Sequence, residues 1–163
     1  MAKRILVPIG TNEHGEVIVP VVAALARDAG ATVRLLNVQP LQRTHLDDSA
    51  SRLPFYGDDA GLTLEVQRRT LAYGHVREER LESEQLERLG QLESLLDGVA
   101  VERAVRFGDV VEEVAREADA FDADLIALSE RRRPWWRPML TRFVDRVRAR
   151  ARVPVLTLSG AAR

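Results

Sequence analysis

Short apolar runs alternate with helix-length segments along this chain, and that alternation restricts its fold more than any other feature. The runs are Arg4–Ile9, Thr32–Val38, Val99–Phe107, Leu125–Leu128 and Val153–Leu158. Gly10, Thr11 and Asn12 close the first run with turn chemistry. A helix is predicted from about Glu13 to Asp28, with Asn12 as N-cap and Gly30 near its C-terminus. Pro20 falls inside it, which predicts a kink or an irregular first turn. Strand, helix and strand within 40 residues make a βαβ unit, and such crossovers are right-handed with parallel strands. Gly108-Asp109 then forms a strand-to-helix turn with Asp109 as N-cap, and Val110, Val114 and Ala118 line the helix that runs to about Phe121. Leu140, Phe143, Val144 and Val147 give the last helical spacing, and Pro154 suits an edge or the start of a strand. The order β-α-β-(long loop)-α-β-α-β-α-β predicts a parallel sheet with helices on both faces.

One stretch resists this reading. Between Leu41 and Gly74, polar and acidic residues mix with Leu53, Phe55, Tyr56, Leu62 and Leu64 without a dominant period. A long irregular connection is expected there, with a short helix from Asp59 to Tyr73. From about Val76 to Leu96 the leucines at 81, 86, 89, 92 and 96 mark one face of a charged amphipathic helix that Gly98 ends. No internal repeat is visible, and 163 residues suit a single domain.

The chain contains no cysteine, which excludes disulfides, thiolate zinc sites and thiol nucleophiles. The first residues pass straight into a strand without an apolar leader, and no run approaches a membrane span, so a cytoplasmic protein is expected. A net charge of −1 conceals an asymmetry: residues 1–129 carry −9 and residues 130–163 carry +8. A basic end of this kind can attract nucleic acid, anionic lipid or an acidic protein surface, or fold back on the acidic remainder. Of the 24 basic residues 23 are arginine, a chain-wide bias that lowers the weight of any one arginine cluster.

The fourth run is followed by Ser129-Glu-Arg-Arg-Arg-Pro-Trp-Trp-Arg137. In an open α/β sheet ligands sit at the carboxyl ends of the strands, and phosphates sit where loop N–H groups converge. Such a loop needs glycine, because a Cβ blocks the approach of backbone to phosphate. This loop offers arginine instead.

In the order and spacing of these pieces, the chain resembles the universal stress protein family. Arg4-Ile-Leu-Val-Pro-Ile9 is similar to that family's first strand, and Gly108-Asp109 before a Glu-rich helix to its third crossover. Ala123-Asp-Leu-Ile126 and Val153-Pro-Val-Leu156 are similar to the strands that bracket its last helix. The resemblance covers nearly everything outside 41–74. It implies a three-layer α/β fold whose five-stranded parallel sheet has the order 3-2-1-4-5. It also implies a homodimer formed by antiparallel pairing of the last strands, here Val153, Val155, Leu156, Thr157 and Leu158. Many members bind ATP through Gly-x2-Gly-x9-Gly-Ser/Thr after the fourth strand. On this chain the first two glycine slots fall at Ser129 and Arg132, and the third at Arg142 or Thr141. The acidic residue that ATP-binding members carry after the first strand corresponds to Gly10. Both halves of the signature are missing, which argues against ATP as a cofactor.

Three readings of function stay open. In the first, the chain acts through protein contacts, with Arg133, Trp135, Trp136 and Arg137 as the exposed partner surface. In the second, a nucleotide or other phosphorylated metabolite binds at the carboxyl ends of the strands. Its candidate residues are Pro8, Ile9, Gly10 and Val38, with Ser129, Arg131, Arg132, Thr141 and Arg142 supplying guanidinium forks in place of backbone donors. In the third, the basic end contacts nucleic acid or an anionic membrane. His14, His45 and His75 show no metal-ligand spacing, and a site at His45, Asp47 and Asp48 is weaker than a solvated loop. Ser129-Glu130 is no nucleophile elbow. No catalytic set emerges, so a non-enzymatic protein without cofactor is expected.

Overall fold

The computed structural model describes residues 3–10, 13–41, 60–131 and 143–160. Strands β1 (Arg4–Pro8), β2 (Thr32–Gln39), β3 (Ala100–Phe107), β4 (Leu125–Arg131) and β5 (Val155–Gly160) form one sheet. Its order is β3-β2-β1-β4-β5 and every pairing is parallel, the expected 3-2-1-4-5 arrangement. The helices are α1 (Val19–Ala29), α2 (Ala60–Glu93), α3 (Val110–Ala120) and α4 (Phe143–Arg150). The chain divides into two compact units: residues Met1–Pro40 with Gln85–Arg163, which hold the whole sheet, and residues Leu41–Glu84.

The two-residue period of the strands sorts side chains onto two faces. Ile5, Val7, Val33 and Leu35 join Val19, Val22, Ala23 and Ala26 of α1, together with Leu89, Leu92 and Leu96, in one core. Leu6, Leu36, Ile126 and Leu128 join Val111, Val114 and Ala118 of α3 and Val144 and Val147 of α4 in the other. Full burial of one such side chain stabilises by roughly 1.5–3 kcal/mol. Helices therefore cover both faces of the sheet.

Local signals set the helix ends. A 3-10 segment, Glu13–Ile18, precedes α1, whose first turn contains Pro20; the proline resolves into an irregular start rather than a mid-helix kink. The predicted cap Asn12 lies outside the described residues. Gly30 ends α1 at φ 59°, with its N–H donating to the Arg27 carbonyl and that of Ala31 to the Ala26 carbonyl, a Schellman arrangement. Asp109 caps α3: one carboxylate oxygen accepts from the N–H groups of Val111 and Glu112, each at 3.1 Å. Gly108 precedes it at φ 150°, where an added Cβ would lie 3.0 Å from Glu113 Oε1.

Several boundaries differ from the sequence reading. The first strand stops at Pro8, one residue short of Ile9. Ala60 to Glu93 is one continuous helix, so the irregular connection does not reach Gly74 and the two expected helices are one. Gly74 costs a helix only about 1 kcal/mol relative to alanine, too little to break it. β4 runs through Ser129 and Glu130 to Arg131, where a loop was expected, because those residues pair with Leu158, Ser159 and Gly160. β5 begins at Val155 rather than Val153, since Pro154 has no N–H for the ladder; its carbonyl accepts from the Ile126 N–H at 3.0 Å.

At the β3 side of the sheet, an ion cluster lies between the strands and α3. Glu117 is buried and accepts from Arg34 at 2.7 Å and Arg106 at 2.8 Å. Arg34 also grips the Glu102 carboxylate opposite it on β3, and its guanidinium stacks 4.1 Å from the centroid of the Phe121 ring. Burial works against the Arg34 charge, but its hydrogen bonds to Glu102 and Glu117 outweigh that and raise its pKa above the ordinary arginine value.

Candidate functional site

The strand order reverses between β1 and β4, the switch point where ligands of such sheets bind. Pairing across it is short. β1 and β4 match only at Ile5–Leu125 and Leu6–Ile126, whereas β1 follows β2 to Pro8–Leu36 and β4 follows β5 to Arg131–Gly160. The sheet is therefore split towards its carboxyl end. The 3-10 segment Glu13–Ile18 packs against β4 and β5, and its Ile18 is fully buried.

Of the sequence candidates, Pro8 ends β1 and is half-buried, Ile9 is buried, and Gly10 is exposed. The Ile9 N–H donates to the Leu36 carbonyl at 2.7 Å, prolonging the β1–β2 ladder. Val38 is half-buried and packs towards the core under α3 and α4. Ser129 is half-buried within β4, and Arg131 is its last residue. These residues lie at the carboxyl ends of β1, β2 and β4. Arg132, Thr141 and Arg142, and the partner-surface residues Arg133, Trp135, Trp136 and Arg137, lie outside the described residues.

Two amides at this end escaped the sequence reading. Asn37 is buried, and its Nδ2 donates to the Ile9 carbonyl at 2.9 Å. Gln39 Nε2 donates to Asn37 Oδ1 at 2.6 Å, and the Gly108 N–H donates to the Gln39 carbonyl at 2.9 Å. The chain of bonds ties together the carboxyl ends of β1, β2 and β3. The available signal was a pair of amides two residues apart, interrupting an apolar strand and hence sharing a face.

The proposed dimer strand is an edge of the sheet, paired on one side with β4. Val153 lies just before it; Val155, Thr157 and Leu158 are half-buried and Leu156 is exposed. On α4, Arg150 holds Glu112 of α3 with both Nε and Nη2 near 3.0 Å, which raises its pKa. Arg148 Nη2 donates to Thr157 Oγ1 at 3.2 Å, and Arg146 lies 3.9 Å from Asp109. Among the described residues no group of three or more His, Asp or Glu could hold a metal, and no helix is long and apolar enough to cross a membrane.

A doubly wound parallel sheet of this order, with a split switch point and a Gly-Asp turn after β3, defines an open three-layer α/β architecture. The family model of the universal stress proteins matches residues 1–159, and the chain belongs to that family. A search of curated proteins gave no match. Solved structures share the fold at low identity. The universal stress protein from Archaeoglobus fulgidus is 16% identical, with TM-score 0.54 over 96% of this chain and 93% of its own. UspA from Lactobacillus plantarum is 13% identical, with TM-score 0.55 over 96% and 97%. A universal stress protein solved in complex with cAMP is 13% identical, with TM-score 0.60 over 98% of each chain.

Proposed function

We propose that this chain is a non-enzymatic, cytoplasmic universal stress protein that acts as a homodimer through protein contacts, without ordinary ATP binding. The observation that carries this reading is the switch point. There the 3-10 segment packs against β4 and β5, and β4 continues as paired strand through Ser129, the first glycine slot, to Arg131. At that slot Ser129 places a Cβ where the close approach of backbone to phosphate needs glycine. Gly10 supplies no carboxylate for a ribose. Arg132 and either Thr141 or Arg142 at the other two slots complete the departure from the ATP marker. The β5 edge, with Leu156 exposed and no second strand beside it among the described residues, supports the dimer. A native mass spectrum of the purified protein tests both parts. A bare dimer is expected, and a dimer heavier by one or two nucleotides overturns the reading.

A second reading keeps a small ligand. It is favoured by the likeness to the protein solved with cAMP and to an Archaeoglobus fulgidus universal stress protein solved with dAMP (14% identity, TM-score 0.50, 96% and 97% covered). Here the arginines from Arg131 to Arg142 bind the phosphate of a nucleotide or other phosphorylated metabolite. Arg132→Ala then releases a bound anion with the fold intact. The basic-end reading has less support, since Arg146, Arg148 and Arg150 each face an acidic or hydroxyl partner within the molecule. Binding to duplex, single strand or vesicles that falls steeply between 50 and 200 mM salt would revive it.

A further inference from the structure

From Ala72 to Arg80, α2 is exposed on all sides; only Gly74 is half-buried. Tyr73 and Val76, at 76% and 63% exposure, place two large apolar groups in water on this stretch. A helix this exposed gains little from propensity alone, because most helical stability comes from packing an apolar face. Among the described residues, the ion pair on this stretch is Arg80–Glu84 at 2.9 Å, an exposed i,i+4 contact that contributes little.

We propose that this stretch pairs with the same stretch of a second copy, antiparallel and centred on Val76. Charge selects that occupant. Residues 68–75 carry two arginines and no acid, and residues 77–84 carry two arginines and four glutamates. The two halves about Val76 are therefore +2 and −2. An antiparallel pair sets each positive half against a negative one, whereas a parallel pair sets like against like. The helical period puts Ala72 and Arg80 within about 40° of Val76 and Tyr73 within about 60°, so they form one stripe. Glu78 lies on the opposite side. In this register Tyr73 of each copy lies beside Arg80 of the other, where a guanidinium can stack on the ring. Arg68 of each lies across from Glu82 of the other. A contact of about two helical turns is small, so the pairing is transient. It uses none of the residues of the β5 edge.

The chain has no cysteine, so one substitution introduces one thiol. Val76→Cys, made in the full chain and in a Leu156→Asp background that removes edge pairing, is oxidised with copper phenanthroline. The covalent dimer is expected about tenfold faster than for Glu78→Cys on the far side, a difference that reports proximity and not thiol exposure, since both sites are open. Adding Glu82→Arg to Val76→Cys should slow cross-linking several-fold, and adding Arg68→Glu to that variant should restore it. Equal rates for Val76→Cys and Glu78→Cys overturn the proposal. So does a charge reversal that leaves the rate unchanged, or one that the second reversal fails to rescue.

Discussion

β3 and β5 are both edge strands, yet β3 carries Glu102, Arg103 and Arg106 while Val155 to Leu158 of β5 carry no charge. On β3 the alternation sends these charges to both faces. Glu102 and Arg106 join the cluster with Arg34 and Glu117 under α3, and Arg103 reaches α2, meeting the Leu86 carbonyl at 3.3 Å and Glu93 at 3.3 Å. A strand arriving beside β3 would have to sit among these ion pairs. The β5 edge offers backbone groups flanked by valine, leucine and threonine, with Leu156 38% exposed. Charged edge strands resist association and bare ones invite it. The lesson is that one sheet can hold a closed edge and an open one, distinguished by where charge is placed.

The contrast can be broken from either side. The largest effect is expected for Leu156→Asp: two carboxylates brought to a two-fold edge contact should weaken the proposed dimer by about a hundredfold or more. Sedimentation at micromolar concentration should then give the monomer mass, and an unchanged mass would remove β5 from the interface. On the closed edge, Glu117→Ala leaves Arg34 and Arg106 facing each other without their shared carboxylate. With Arg106 partly solvated, a loss of about 2–3 kcal/mol is expected, at the lower end for a broken buried pair. It should appear as a lower denaturant midpoint with the oligomeric mass untouched; a dimer that dissociates would show that the two edges are coupled. Gly108→Ala, at the end of β3, meets both a φ of 150° and the Glu113 side chain, so a loss of about 1–3 kcal/mol is expected by the same measurement. The smallest effect is predicted for Gly90→Ala. Its Cβ would press on the mobile end of Arg103, 2.6 Å away, while the helix gains up to about 1 kcal/mol of propensity. The net should be neutral to slightly stabilising, and a loss above about 1 kcal/mol would mean that Arg103 holds the β3 edge more firmly than its exposed contacts indicate.

The elements that local chemistry dictates were readable in the sequence. Gly30, Pro20 and Asp109 act where their backbone preferences place them, and the apolar runs became strands in the predicted order. What escaped depends on partners far along the chain. Ser129, Glu130 and Arg131 have no pattern of their own that specifies a strand; β5 supplies it. The continuity of α2 was hidden by Gly74 and by polar residues around it, which weaken a helical period without ending a helix. Glu117 looked like one more acid in a Glu-rich helix, and only the fold brings Arg34 to it across 83 residues. At the candidate site the strand ends Pro8, Ile9 and Gly10 could be placed from sequence. The Asn37–Gln39 relay could not, since the groups at its two ends, the Ile9 carbonyl and the Gly108 N–H, are backbone groups that a sequence does not position.

The short seam between β1 and β4 gives the sheet a mechanical character. Beyond the two register pairs, the Asp124 N–H donates to the Arg4 carbonyl and the Arg4 N–H to the Asp124 carboxylate, all at the amino end. Three strands on one side and two on the other thus resemble leaves of a book bound along one short spine. Few ladder hydrogen bonds cross that spine, and the 3-10 segment Glu13–Ile18, packed on β4 and β5, is the clasp that holds the leaves beside the switch point.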